Sequence, residues 1–101
     1  MKNFTSLEVL ELPGNTFEGI YAETFENMPN LRNLSLSSNR ISKITDDAFG
    51  GISNLEELVL RGNYLKSNGI PGFKNLKKLV KLDLSHNLIQ VIDKVRVGPA
   101  Q

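Results

Sequence analysis

The segment LDLSHNLI, residues 82–89, brings Asp83, Ser85 and His86 within four residues of one another. A carboxylate, a hydroxyl and an imidazole are the side-chain types of a hydrolytic triad, in which a base activates the hydroxyl and the carboxylate orients the base. Such a site also needs the base held against its nucleophile. Whether these side chains meet in that way depends on the elements that carry them.

The segment is one copy of a 24-residue repeat. Counterparts spaced by 24 residues form columns of one residue type: Asn15, Asn39, Asn63, Asn87; Leu7, Leu31, Leu55, Leu79; Leu10, Leu34, Leu58, Leu82; Leu12, Leu36, Leu60, Leu84; and Phe25, Phe49, Phe73. Chance does not produce so many coincident registers, so the chain is a repeat protein.

The spacing within each repeat predicts a short strand. Side chains alternate along LxLxx, so the leucines face a core and the intervening residues face solvent. One repeat cannot bury its apolar face alone, but stacked repeats share a continuous core. We expect parallel strands, an inward ladder of the asparagines that satisfies buried backbone groups, and a spine of stacked phenylalanines.

The pattern LxxLxLxxNxL occurs as LEVLELPGNTF, LRNLSLSSNRI, LEELVLRGNYL and LVKLDLSHNLI. These residues resemble the leucine-rich repeat family, and the added Phe and the repeat length look like its typical subclass, found in extracellular proteins such as Toll-like receptor ectodomains. The resemblance implies an α/β solenoid: a horseshoe segment of about four repeats, with a parallel sheet on the concave face and irregular or short helical turns on the convex face. It covers residues 1–97, with repeats starting near 7, 31, 55 and 79 after a partial repeat at 1–6, and leaves 98–101 as a tail.

Two places depart from the pattern. The apolar convex position becomes Asn68 in the third repeat, where Gly69, Pro71 and Gly72 predict an irregular turn. Pro13 ends the first strand and removes a backbone donor, which favours a position near a sheet edge.

The composition narrows the classes of function. Hydrophobic residues make up 40% of the chain and charged residues 23%, with a net charge of +1, which does not favour a nucleic-acid-binding arm. The basic run of Lys74, Lys77, Lys78 and Lys81 has no aromatic residues interleaved for base stacking. Cys is absent and His occurs once, so neither a metal site nor a cofactor is expected.

Neither a signal peptide nor a membrane span is evident in the sequence. The pattern starts within a repeat and shows no capping module at either end, so we expect an internal segment of a longer parent. The resemblance implies that this parent is extracellular or at the cell surface, and the segment itself is expected to make no membrane contact.

Alignment of the repeats gives a different interpretation of residues 82–89. Asp83 and Ser85 occupy outward strand positions, and His86 matches Gly14, Ser38 and Gly62. The three residues are therefore predicted to be display positions, and an enzyme is not expected.

The candidate ligand-binding residues come from the outward strand positions and one neighbouring row: Val9, Glu11, Asn33, Ser35, Glu57, Val59, Arg61, Tyr64, Lys81 and Asp83. The alternative is a solvated face whose opposite charges pair across the strands. A lateral row, namely Thr16, Arg40, Tyr64 and Leu88, is a second candidate surface. Asn3 and Asn33 match the N-glycosylation sequon, and a glycan at Asn33 would obstruct the concave face.

We expect a non-enzymatic recognition module. The resemblance implies an innate-immune-receptor-like ectodomain that binds protein or microbial ligands on its concave or lateral surface, with dimerisation through the longer parent. A matrix or cell-adhesion protein and an intracellular or plant-type scaffold remain alternatives.

Overall fold

The computed structural model describes residues 4–67, 73 and 75–89. Within these ranges the strands are β1 (Val9–Glu11), β2 (Gly19–Ile20), β3 (Asn33–Ser35), β4 (Lys43–Ile44), β5 (Glu57–Val59) and β6 (Lys81–Asp83), with a 3₁₀ helix, η1, at Gly50–Ile52. The irregular turn expected around Asn68, the sequon at Asn3 and the tail at 98–101 lie outside the described residues.

Four of the strands form one sheet in the order β1-β3-β5-β6, and all three pairings are parallel. Leu10 pairs with Leu34, Leu34 with Leu58, and Leu58 with Leu82, so every step shifts the chain by one 24-residue repeat. The predicted parallel pairing is confirmed. The register follows from the alternation, because a slip of one residue would turn the leucines out of the core.

Strand β1 lies at one edge of this sheet. The backbone N–H groups of Leu12 and Gly14 donate to the carbonyls of Ser35 and Ser37, at 2.9 and 3.0 Å. The residue between them is Pro13, whose missing N–H belongs to the side that faces away from β3. Pro13 therefore costs no ladder bond, as its predicted edge position requires.

The side of the molecule opposite this sheet is built from shorter elements. Helix η1 agrees with the short helical turns that the sequence predicts there. The parallel pairing of β2 with β4, which aligns Ile20 with Ile44, was not predicted. It arises because stacking at a constant period brings matching extended residues to strand spacing, and the two buried isoleucines hold them there.

The core lies between these two sides. Leu34, Leu36, Leu58 and Leu60 enter it from the sheet, while Phe25, Met28, Phe49 and Ile52 enter it from the opposite side; all are essentially inaccessible to solvent. The rings of Phe49 and Phe73 stack with centroids 5.9 Å apart, as the predicted spine requires. Phe25 also makes a tilted contact with Phe17 at 6.5 Å, which the sequence did not predict.

The predicted asparagine ladder is present in the three later repeats. The Asn63 amide Nδ2 donates to the carbonyls of Leu36 and Leu60, both at 3.0 Å, and its Oδ1 accepts from the Ile41 N–H at 2.9 Å. Asn39 and Asn87 repeat the arrangement one step before and one step after. Each of these side chains therefore joins its own repeat to the preceding one.

A second row of asparagines also joins neighbouring repeats and was missed in the sequence. Asn30 Nδ2 donates to the Thr5 carbonyl at 2.6 Å, and Asn54 Nδ2 donates to the Pro29 carbonyl at 2.8 Å. Their spacing of 24 residues was the available signal. It was weak because only two members of the column are asparagines.

Candidate functional site

The solvent-facing side of the four-stranded sheet, called here the sheet face, carries most of the candidate contact residues. Its members are the residues that alternate with the inward leucines: Val9, Glu11, Asn33, Ser35, Glu57, Val59, Lys81 and Asp83. Each is exposed or half-buried, while Leu34 and Leu58 between them are buried. The alternation read from the sequence therefore gives the correct face.

A shallow depression of about 100 Å³ lies on the sheet face over β1, β3 and β5. Six candidate residues line it together with Leu34: Val9, Glu11, Asn33, Ser35, Glu57 and Val59. Pockets for small molecules typically measure about 300–1,000 Å³. The depression is thus of a size to take one side chain of a protein ligand, between valine walls and carboxylates.

One chain of polar contacts crosses the sheet face from β3 to β6. The Asn33 amide donates to the Glu57 carboxylate, and the Lys81 ammonium lies 3.7 Å from the other oxygen of that carboxylate. The cross-strand charge pairing expected from the sequence is confirmed for Glu57 and Lys81. The contact from Asn33 was not predicted, because the side-chain types alone do not indicate which neighbour an amide will bind.

A second polar chain joins β5 to the end of β6. Arg61 Nη1 donates to the Ser85 hydroxyl at 3.1 Å, and that hydroxyl donates to the Asp83 carboxylate at 2.6 Å. The Ser85 backbone N–H donates to the same carboxylate at 2.9 Å. Arg61 and Asp83 therefore interact through Ser85, and not by the direct pairing that their charges suggest.

These contacts do not form a triad. In a triad the imidazole stands between hydroxyl and carboxylate and accepts the hydroxyl proton, whereas here the Ser85 hydroxyl donates directly to Asp83. Within residues 75–89, no hydrogen bond joins the His86 ring to either partner.

The Ser85 hydroxyl and backbone N–H, assisted by the charges of Arg61 and Lys81, hold the pKa of the Asp83 carboxyl below its ordinary value. Because the pKa is lowered by folding, the ionised carboxylate stabilises the fold at pH values above the unfolded pKa of about 4. That contribution is lost as the pH falls through the folded pKa.

Replacing Ser85 by alanine is expected to raise the pKa of Asp83 towards its ordinary value, because the hydroxyl bond to the ionised form is lost. The measurement is a carboxyl titration by NMR. Ser37→Ala is the matched control, since Ser37 occupies the same position two repeats earlier and its hydroxyl contacts Ser35. A pKa that does not change in Ser85→Ala would contradict the assignment.

His86 belongs to a column whose backbone is left-handed. The φ angles are +69° at Gly14, +60° at Ser38, +76° at Gly62 and +57° at His86. Glycine adopts this conformation freely, whereas other residues pay about 1–2 kcal/mol. The residues of this column therefore form the turn by which the chain leaves each strand. His86 is exposed at this turn.

Replacing Gly62 by alanine is expected to lower the free energy of unfolding by about 1 kcal/mol, because φ is positive there. Crowding adds little, since the new Cβ would lie 3.5 Å from its nearest neighbours on Ser38. Chemical denaturation measures the effect. Gly50→Ala is the control, as its Cβ would meet no atom within 4 Å and its φ is not left-handed; equal losses in both variants would refute the conformational explanation.

The lateral row lies beside the sheet face, where the chain leaves each strand. Its described members Thr16, Arg40, Tyr64 and Leu88 are all exposed, and the residues on either side of Arg40, Tyr64 and Leu88 are buried or half-buried. Tyr64 is the candidate contact residue that belongs to this row. The ten candidates therefore divide between the depression, the two polar chains and the lateral row.

Asn33, one of the two sequon asparagines, is the first residue of β3, and it is half-buried. A glycan on its amide would cover the depression and would disturb the contact with Glu57. Among the described residues, no group of three or more His, Cys, Asp or Glu side chains is placed to hold a metal ion, and no helix has the length and apolar character to cross a bilayer.

Comparison with known proteins identifies one match. A family model described as "Leucine rich repeat" matches residues 5–65, which is more than half of the chain. Neither the curated proteins nor the solved structures contain a match.

Proposed function

Since the chain belongs to the leucine-rich repeat family, a protein-interaction fold, we propose that it is a non-enzymatic recognition module. Its ligand is a protein, which it binds through the sheet face and the adjoining lateral row. The finer part of the proposal is that the module belongs to the ectodomain of an extracellular, innate-immune-receptor-like protein whose ligands include microbial molecules.

The observation that carries the proposal is the depression on the sheet face. Valine side chains and carboxylates line it, and Val9 remains 54% exposed although it lies on a strand of the sheet. An apolar wall beside charged groups suits a partner side chain with an aliphatic stem and a polar end. The volume of about 100 Å³ supports a protein ligand over a small molecule.

The same hydrogen bonds that stabilise the fold also favour binding. Strand pairing and the asparagine ladder fix the positions of the displayed residues before the ligand arrives. Ordering a mobile side chain at an interface costs about 0.5–1.5 kcal/mol. A surface held by the scaffold avoids part of this cost.

The extracellular assignment is supported by the resemblance of the repeats to the typical subclass. In a secreted protein the sequon at Asn33 is an acceptor site for a glycan. A glycan at Asn33 would leave the lateral row as the accessible surface. Mass spectrometry of protein secreted from eukaryotic cells gives the occupancy, and it therefore tests which of the two surfaces is open.

The recognition proposal is tested by selecting displayed short random peptides on the immobilised protein. We expect selected peptides to lose affinity about tenfold on substitution of contact residues, the usual effect at an interface. The variants are Glu11→Lys and Val9→Asp on the sheet face and Tyr64→Ser on the lateral row, and Lys78→Glu is the control because this exposed residue belongs to neither surface. Failure to select any peptide that depends on either surface would overturn the proposal.

A further inference from the structure

The lateral row is fixed by its own ladder of backbone bonds. The N–H groups of Arg40, Tyr64 and Leu88 each donate, at 2.9 Å, to a carbonyl of the preceding repeat, that of Phe17, Ile41 and Leu65 respectively. Residues in neighbouring repeats are therefore held at strand spacing, about 4.8 Å apart. The three side chains form a short, regular and rigid line.

Two members of this line are large and apolar, and both remain open to solvent. Tyr64 is 51% exposed and Leu88 49% exposed, in adjacent repeats. Tyrosine contributes a large contact area at low cost in side-chain entropy, and it is enriched among residues that dominate binding energy. The pair provides a place for an apolar side chain of a partner.

Two cations next to this apolar pair have no ion-pair partner among the described residues. Arg40 precedes Tyr64 in the row, and the exposed Lys66 follows Tyr64 by two residues, with the buried Leu65 between them. Among the described residues, neither Arg40 nor Lys66 forms an ion pair. The acidic residue in the column of Lys66 is Glu18, two repeats away.

The sheet face differs in this respect. Its cations are already engaged, because Lys81 pairs with Glu57 and Arg61 reaches Asp83 through Ser85. An anionic partner would have to displace an internal carboxylate there, whereas no carboxylate of the described residues pairs with the cations of the lateral row. The lateral row therefore offers positive charge beside Tyr64 that the sheet face does not.

We propose that the lateral row binds an acidic, extended segment of a partner protein. An apolar side chain of that segment packs on Tyr64 and Leu88, and flanking carboxylates pair with Arg40 and Lys66. Two repeat steps span about 10 Å, which is the length of about three extended residues, so the recognised motif is short. This inference rests on the proposed recognition function and adds the site and the chemistry of the partner.

The test uses labelled peptides taken from the displayed random library. Supporting results are selected peptides with net negative charge that lose affinity about tenfold with Arg40→Glu, Lys66→Glu or Tyr64→Ser. The matched controls Arg32→Glu and Tyr21→Ser make the same changes at exposed positions outside the row, where affinity should be retained. Circular dichroism on every variant verifies that the fold is unchanged.

Two other results would count against the inference in distinguishable ways. Peptides that are neutral or basic, or that depend on Val9→Asp and not on the lateral variants, overturn the acidic-segment site and leave the recognition function standing. A library that yields no peptide dependent on either surface overturns both.

Discussion

Replacing Asn63 by alanine is expected to lower the free energy of unfolding by about 3–4 kcal/mol. The side chain is only 2% exposed and satisfies three backbone groups, namely the carbonyls of Leu36 and Leu60 and the N–H of Ile41. Alanine leaves the Ile41 N–H without its partner in the interior, at about 1–3 kcal/mol. The carbonyls of Leu36 and Leu60 each lose one of two amide donors, because Asn39 and Asn87 still donate to them, at about 1 kcal/mol for each lost bond. The loss should exceed that of an ordinary hydrogen bond, since two successive repeats are affected.

Asn15→Ala is the matched control, because the same residue type occupies the same position of the first repeat. Asn15 is exposed and donates a single long bond of 3.3 Å to the Pro13 carbonyl. Its removal should change stability by less than about 0.5 kcal/mol. Chemical denaturation of both variants decides the matter, and similar losses at the two positions would refute the ladder as a source of stability.

Replacing Phe49 by alanine is the second change with a large expected effect, a loss of about 3–5 kcal/mol. The side chain is 1% exposed and its ring stacks on Phe73. Removing the ring takes buried apolar surface from the core and leaves a cavity beneath η1. A stack of repeats cannot close such a cavity without shifting neighbouring repeats, so relaxation should recover little of the loss.

Phe4→Ala is the control for this substitution, because Phe4 is 49% exposed. It should cost less than about 1 kcal/mol, in proportion to the smaller area that it buries. The midpoint and slope of urea unfolding give both values. A Phe49→Ala variant as stable as Phe4→Ala would mean that the phenylalanine spine does not hold the repeats together.

These two substitutions act on the scaffold, whereas Tyr64→Ser and Arg40→Glu act on what it displays. The reason is that the side chains of Asn63 and Phe49 are buried between the repeats, whereas Tyr64 and Arg40 bond the preceding repeat only through their backbone and expose their side chains. Scaffold variants should lose stability first, and lateral variants should lose binding with little change in stability. A repeat protein can therefore change its partner by surface substitution while the interior is retained.

Much of the fold could be predicted because the same residue types recur every 24 residues and pack in the same way in every repeat. The 24-residue spacing determined that Leu34 pairs with Leu58, that Asn63 turns inward and that Phe49 meets Phe73. The pairing of β2 with β4 escaped prediction, since that segment has only Ile20 and Ile44 as a signal among the described residues. For the site, the alternation identified the outward residues, and six of them line the depression.

The sequence by itself determined which residues face inward, because the period alone assigns the leucines and the asparagine of each repeat to its core side. How deeply each is buried depended on the stacking of the repeats, since Asn63 is buried while Asn15 in the same column is exposed. The tertiary structure decided which outward charges are neutralised. Ser85 stands between Arg61 and Asp83, and Glu57 takes both Asn33 and Lys81, while Arg40 and Lys66 pair with none of the described residues. The physical reason is that a hydrogen bond or ion pair requires atoms within a few ångströms in a particular orientation. Side-chain reach across strands sets that geometry, and a repeating pattern of residue types does not specify it.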